Sequence, residues 1–276
     1  MLKKRVITAL WGTPLIIAAI WFDKPLPWFT ILIAIWGVLA AQEFYKMAEN
    51  SGMRPFTYFG LIWTLLFIIS PHFKYDFLTP LLLTTAVALP LIILVLRHQR
   101  EGAFLGWAWT MAGILYLGWL LSNFVALRGL DNPETVLVDE GRNWVFFAMF
   151  TTWASDTIAF FIGRRFGKRK LAPSISPSKT WEGAVGGIIG AMAMSVLFFA
   201  PTPLHLSLAP WQAILLSLLV SVVGQLGDLA ESLLKRNMGV KDSGTSVAGH
   251  GGFLDRLDSV VFAGIVVYYY ALLSAL

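Results

Sequence analysis

Long apolar runs, interrupted at short intervals by charge, glycine and proline, dominate the chain. Nine of them read as helices: about Val6 to Phe22, Trp28 to Ala48, Phe56 to Ser70, Phe77 to Leu96, Ala103 to Leu127, Asn143 to Ile162, Glu182 to Ala200, Pro210 to Leu234 and Leu257 to Ala275. Most are near the roughly 20 residues that a membrane-crossing helix requires. The first follows Lys3, Lys4 and Arg5, as a signal peptide would. No small-residue cleavage site comes after it, and Asp23-Lys24-Pro25 leads straight into the next run, so it reads as a retained helix. There is no internal repeat, low-complexity tract or linker. The pattern predicts an all-α integral membrane protein, a polytopic bundle of about nine transmembrane helices forming one domain over 1–276. Within it, 1–142 would supply scaffold helices, and 143–276 the chemistry-bearing helices with cytoplasmic loops 163–181 and 235–256.

Composition strengthens this picture. Of 276 residues, 57% are hydrophobic and 13% charged, against about 25% charged in soluble domains, and the mean hydropathy is +0.69. Little chain is left for a soluble domain. The absence of cysteine excludes a disulfide framework, a thiolate nucleophile and a cysteine-ligated metal.

Charge placement sets orientation. With the N-terminus inside, only Lys24, Lys74, Arg128 and Arg142 of the 21 Lys and Arg fall in external connections, and the other 17 are cytoplasmic. Positive residues concentrate in cytoplasmic loops, so a cytoplasmic N-terminus and an external C-terminus are expected. The net charge of +5 then lies on one face, where it favours anionic headgroups.

Carboxylates at membrane depth are costly and normally face a polar cavity. Asp156 lies inside the Asn143 to Ile162 run, Glu182 opens the next run, Asp228 and Glu231 sit in the last turns of the Pro210 to Leu234 run, and Asp255 and Asp258 bracket the start of the final one. Glu43 also lies deep in a run and reads as a helix-packing or dimer-contact residue. Asp228 and Glu231 share a helix face at i, i+3, with Lys235 a further four residues on. Asp255 and Asp258 would do the same if Leu254 to Ser259 were helical. Several carboxylates without Cys or a His-x-x-x-His pair suit Mg²⁺ better than zinc. Between the two pairs runs a Gly- and Ser-rich loop, Lys241 to Gly252, whose small residues let a ligand approach the backbone. An earlier loop leads Arg164 to Lys170, then Ser176 to Lys179, into a helix N-terminus suited to phosphate. Gly183, Gly186, Gly187 and Gly190 predict close helix packing.

These residues resemble the signature of the phosphatidate cytidylyltransferase family, also called CDP-diacylglycerol synthase. The resemblance rests on Ser232-Leu233-Leu234-Lys235-Arg236, Lys241-Asp242-Ser243-Gly244 and His250-Gly251-Gly252-Phe253-Leu254-Asp255-Arg256-Leu257-Asp258, a 27-residue pattern. A second block, Ser155-Asp156, Gly163-Arg164, Phe166-Gly167 and Ile175 to Gly183, agrees. Val247 and Ala248 depart from it, standing where the family usually has Leu, Ile or Phe, and Pro.

The resemblance implies a nucleotidyltransferase of phospholipid biosynthesis that takes CTP and phosphatidic acid to CDP-diacylglycerol and pyrophosphate. It would lie in the cell (inner) membrane with its active site on the cytoplasmic side. Mg²⁺ is implied as cofactor, with room for a monovalent second cation such as K⁺. By position in the motif, Asp228, Asp255 and Asp258 are expected as metal ligands, with Asp156 ordering the cavity or joining them. Lys235, Arg236, Lys241 and Arg256 are expected to contact the triphosphate and phosphatidate, with Asp242 beside them in the catalytic set. Gly251 and Gly252 would offer backbone N–H groups, His250 a donor to phosphate, and Ser176 and Lys179 contacts to lipid phosphate or pyrophosphate. The family further suggests a homodimer, and nothing points to nucleic acid. Two rivals stay open. A CTP-dependent polyprenol or phytol kinase would release CDP, and an ion-coupled transporter would spread its polar residues through the bilayer midplane.

Overall fold

The structure, a computed structural model, describes residues 2–23, 26–98, 101–130, 139–247 and 251–274, with the backbone alone over 2–9. Every apolar run is helical within those bounds. The elements are α1 Leu2–Trp21, α2 Trp28–Asn50, α3 Thr57–Ile69, α4 Leu78–Leu96, α5 Ala103–Gly113, α6 Leu120–Arg128, α7 Glu140–Phe166, α8 Trp181–Phe199, α9 Pro210–Asn237 and α10 Asp258–Ser274. A π-helical stretch, Ile114–Trp119, joins α5 to α6 in one rod, Ala103–Arg128. Six of these helical rods are long and apolar enough to cross a membrane, while Leu10–Trp21, Thr57–Phe73 and Asp258–Ser274 are shorter. Large apolar side chains such as Trp11, Ile62, Val95, Phe104 and Val185 are exposed, as lipid rather than water would allow. This is a multi-pass, all-α membrane protein.

One feature was not expected from the sequence. The loop after α7 folds into a short antiparallel hairpin, β1 Lys170–Ala172 and β2 Ser176–Thr180, pairing Lys170 with Thr180 and Ala172 with Ser176 across a bulge.

The helices fall into two compact units, Met1–Ala126 with Asn237–Leu257, and Leu127–Arg236 with Asp258–Leu276. The motif loop 237–257 therefore belongs with the N-terminal helices rather than with α7 to α10.

In the first unit, Phe67, Leu82, Ala86, Met111 and Ile114 form a buried core. Buried Tyr45 on α2 donates to the Thr110 carbonyl at 2.9 Å, four residues before the π-helical stretch begins. That extra donor on a helix carbonyl coincides with the change of helical pitch.

In the second unit, α7 and α8 meet along small residues. A Cβ on Gly183 would lie 2.8 Å from the Ala159 carbonyl, one on Gly187 3.0 Å from the Ser155 carbonyl, and one on Gly190 2.8 Å from Ile158 Cγ1. The close packing read from the glycine spacing is present. Without side chains there the backbones can approach, which is how helices gain contact where no hydrophobic effect drives them together. A polar chain crosses this unit: Ser155 Oγ and Ser221 Oγ are 2.7 Å apart, and Gln225 donates to Ser221 Oγ and the Ala184 carbonyl. Asp139 starts α7 by accepting from the Arg142 amide at 2.9 Å and forms two 2.8 Å bonds with Arg128, a charge-assisted fork that fixes the helix entry.

Candidate active site

The site in the second unit is built on the last turns of α9. Asp228, Glu231 and Lys235 fall on one face by the helical repeat. Gly227 lets α10 come close, since a Cβ there would lie 2.8 Å from the Asp258 carbonyl. Asp258 consequently begins α10 beside α9, its Oδ1 accepting from the Ser259 amide at 2.7 Å. Asp228, Glu231 and Asp258 each turn a carboxylate oxygen inward, these atoms all lying within 4.8 Å of one another. Among the described residues this is the group of acidic side chains that converges as a metal cage would.

Three anions so placed repel by about 3 kcal/mol per pair at an effective dielectric near 20, and two lysines offset part of that. Lys235 Nζ lies 2.6 Å from Glu231 Oε2, the glutamate side chain being fully buried and the lysine nearly so. Lys179 Nζ lies 2.6 Å from Asp228 Oδ2, with 22% and 30% of the two side chains exposed. Two cations against three carboxylates leave one negative charge in excess among these five side chains.

The hairpin explains how Lys179 arrives there. β2 carries it toward α9, and Thr180 then caps α8, its Oγ1 accepting from the Gly183 amide at 3.1 Å. The Glu182 carboxylate accepts from the Lys168 and Arg169 amides at 3.1 and 3.3 Å, tying the basic stretch to the helix start. Ser176 is half-buried at the head of β2, and exposed Arg236 donates to the neighbouring Ile175 carbonyl at 3.4 Å. Asp156 lies on an exposed position of α7.

The remaining motif residues belong to the first unit. Lys241, Asp242 and Arg256 are exposed, whereas Ser243, Gly252 and Asp255 are buried. Leu254–Arg256 is a 3-10 turn, and Leu257 separates it from α10, so Asp255 and Asp258 do not share a continuous helix face. Asp255 Oδ2 accepts from the Ser243 amide, Ser243 Oγ and the Gly252 amide at 3.1, 3.0 and 2.8 Å. The Gly252 N–H thus serves the loop's own carboxylate. Gly251 adopts φ +85°, a conformation that favours glycine, and its carbonyl accepts from Val247 at 2.9 Å. His250 and Ala248 lie outside the described residues.

Two residues left off the list of ligands and contacts stand out. Glu231 joins Asp228 and Asp258, and its i, i+3 spacing from Asp228 already signalled this. Glu43 accepts from Ser243 Oγ and the Leu254 amide, both at 3.0 Å. Its only sequence signal was a carboxylate deep in an apolar run.

Comparison with known proteins identifies the family. A family model described as the cytidylyltransferase family matches residues 3–274. A phosphatidate cytidylyltransferase of Bacillus subtilis is 32% identical over 271 residues, 97% of each chain. One of Brucella abortus is 37% identical over 235 residues, covering 84% of this chain and 81% of its own. A chloroplastic phosphatidate cytidylyltransferase 4 of Arabidopsis thaliana is 30% identical over 292 residues, 97% of this chain and 72% of its own. With a family model matched over residues 3–274 and relatives 30 to 37% identical over most of its length, the chain belongs to the cytidylyltransferase family and is a nucleotidyltransferase enzyme.

Proposed function

We propose that the protein transfers the cytidylyl group of CTP to phosphatidic acid, giving CDP-diacylglycerol and pyrophosphate. The observation that carries this reading is the convergence of Asp228, Glu231 and Asp258 with Lys179 and Lys235 paired to two of them. The names of the relatives supply the substrates.

In this reaction an oxygen of the lipid phosphate monoester forms a bond to the α-phosphorus of CTP, and the bond from that phosphorus to the bridging oxygen of the β-phosphate breaks. Pyrophosphate leaves with the bonding pair. The monoester carries about −1.5 to −2 charge at neutral pH, so the nucleophile is already an anion and no strong base is needed. The barrier lies in bringing two polyanions together. Lys179, half-buried on β2, and Arg236, exposed at the end of α9, would receive phosphate oxygens and hold the two substrates in line. Lys235, buried against Glu231, offsets the charge of that carboxylate.

The site chemistry fits Mg²⁺, since three hard carboxylate oxygens converge with negative charge in excess. Asp228, Glu231 and Asp258 would hold the ion, which when bound supplies charge neutralisation on the phosphates. Asp255 as a metal ligand, Asp156 as a residue that orders the cavity or joins the metal shell, and a monovalent second cation such as K⁺ belong to the same proposal.

We place the N-terminus, the hairpin and the motif loop on the cytoplasmic side of the inner membrane, with nine spans and an external C-terminus. The cation distribution supports that orientation, and it is the side on which CTP is available. A homodimer is part of the same reading. Purified protein given phosphatidic acid, CTP and Mg²⁺ in mixed micelles is expected to form CDP-diacylglycerol and pyrophosphate in equal amounts. CDP as the nucleotide product would replace this reading with that of a lipid kinase, and neither product would end it.

A further inference from the structure

In the first unit a single carboxylate on α2 holds both ends of the motif loop. Glu43 Oε2 accepts from Ser243 Oγ and from the Leu254 amide, each at 3.0 Å, although these donors are eleven positions apart in sequence. Ser243 Oγ is also 3.0 Å from Asp255 Oδ2, which takes the Ser243 and Gly252 amides as well. Glu43 is 8% exposed and Asp255 7%. The other glutamate oxygen, Oε1, is buried with no hydrogen-bond partner among the described residues.

The loop sequence is shaped around this carboxylate. A Cβ on Gly244 would sit 2.7 Å from Glu43 Oε1, and one on Gly252 would overlap both Glu43 Oε2 and Ser243 Oγ. Both glycines leave room for a protein carboxylate. Helix packing alone would be better served at position 43 by an apolar side chain, because an anion in an apolar helix loses its hydration. A local rule broken in this way marks a functional position.

We propose that Glu43 is a positioning residue for cytidylyl transfer. It acts through Ser243 and Leu254 to fix the loop that carries Lys241 and Asp242 and leads covalently through Asp255 and Arg256 to Asp258. This rests on the proposed function for its catalytic consequence and on the hydrogen bonds alone for its structural one.

The test compares Glu43→Ala, Glu43→Gln and wild type as full chains in nanodiscs, reading amide hydrogen exchange, melting temperature, and kcat and KM. The expected result for Glu43→Ala is exchange at least about tenfold faster across 243–255, unchanged over α3 and α4, with the melting temperature held. With it kcat falls by about tenfold or more while KM for phosphatidic acid stays within about threefold, as for an interaction that organises the reacting geometry. Glu43→Gln, whose amide oxygen can accept the same bonds, is expected to recover kcat to within about threefold of wild type. Unchanged exchange over 243–255, wild-type kcat in Glu43→Ala, or equal loss in the Ala and Gln variants would overturn the proposal. If Glu43→Ala does not fold, Ser243→Ala removes the shared hydroxyl without opening a large cavity. Faster exchange with reduced kcat is expected there, and no change in either overturns the idea. Should the wild-type protein make no CDP-diacylglycerol, the functional reading fails while the exchange data still decide whether Glu43 holds the loop.

Discussion

Lys179 Nζ stands 2.6 Å from Asp228 Oδ2, so a residue of a five-residue strand is ion-paired to the last turns of a 28-residue helix. Both side chains retain partial exposure, which limits what the pair contributes to stability to about 1 kcal/mol or less. Its position among three carboxylates points to chemistry instead. Lys179→Ala is expected to lower turnover by about a hundredfold, as loss of one charge-stabilising donor does, with little change in melting temperature. Steady-state kinetics and thermal unfolding in detergent on one preparation check both halves.

The Glu231–Lys235 pair should behave in the opposite way. With the glutamate side chain fully buried, Lys235→Ala removes the cation paired to it and is expected to destabilise the protein by about 3 to 5 kcal/mol. Replacing both by Met removes the buried charge. The double variant should regain most of the stability and none of the activity, as read by thermal unfolding and product formation.

How much of this was legible in the sequence differs by element. Helix positions followed from apolar run length, because in a bilayer each segment must satisfy its own backbone. The Asp228, Glu231 and Lys235 face followed from helical spacing alone. The β1–β2 hairpin did not, because Ser176-Pro177-Ser178-Lys179-Thr180 has no alternating apolar pattern and its pairing is set by the turn. Asp255 and Asp258 would share one helix face only if Leu254 to Ser259 were helical, and the 3-10 turn ending before Leu257 separates them. Glu43 was visible only as an oddly placed charge, since its partners lie some 200 residues away in sequence, a distance no local spacing reports.

The small-residue row on α8 gives a packing prediction. Gly190→Leu would drive its side chain into Ile158 and the Ala154 carbonyl, and overpacking of this kind costs about 1 to 3 kcal/mol or more. Gly12→Ala, where a Cβ meets nothing within 4 Å, should leave the melting temperature unchanged. Thermal unfolding of the two variants side by side is the check.

Orientation can be tested directly because the chain contains no cysteine. Lys168→Cys and Thr202→Cys flank α8, at an exposed and a partly exposed position respectively. In intact cells a membrane-impermeant maleimide is expected to label Thr202→Cys, and to reach Lys168→Cys only after permeabilisation. The reverse pattern would invert the topology.

The most direct measurement follows the two ends of the CTP triphosphate separately. The enzyme is supplied with phosphatidic acid, Mg²⁺ and CTP carrying a phosphorus label at either the α or the γ position. The account predicts that α label enters the lipid phase as CDP-diacylglycerol and γ label stays in water as pyrophosphate, both dependent on Mg²⁺ and both lost in Asp258→Asn. Label from the γ position in the lipid, or α label in the lipid undiminished in Asp258→Asn, would contradict it.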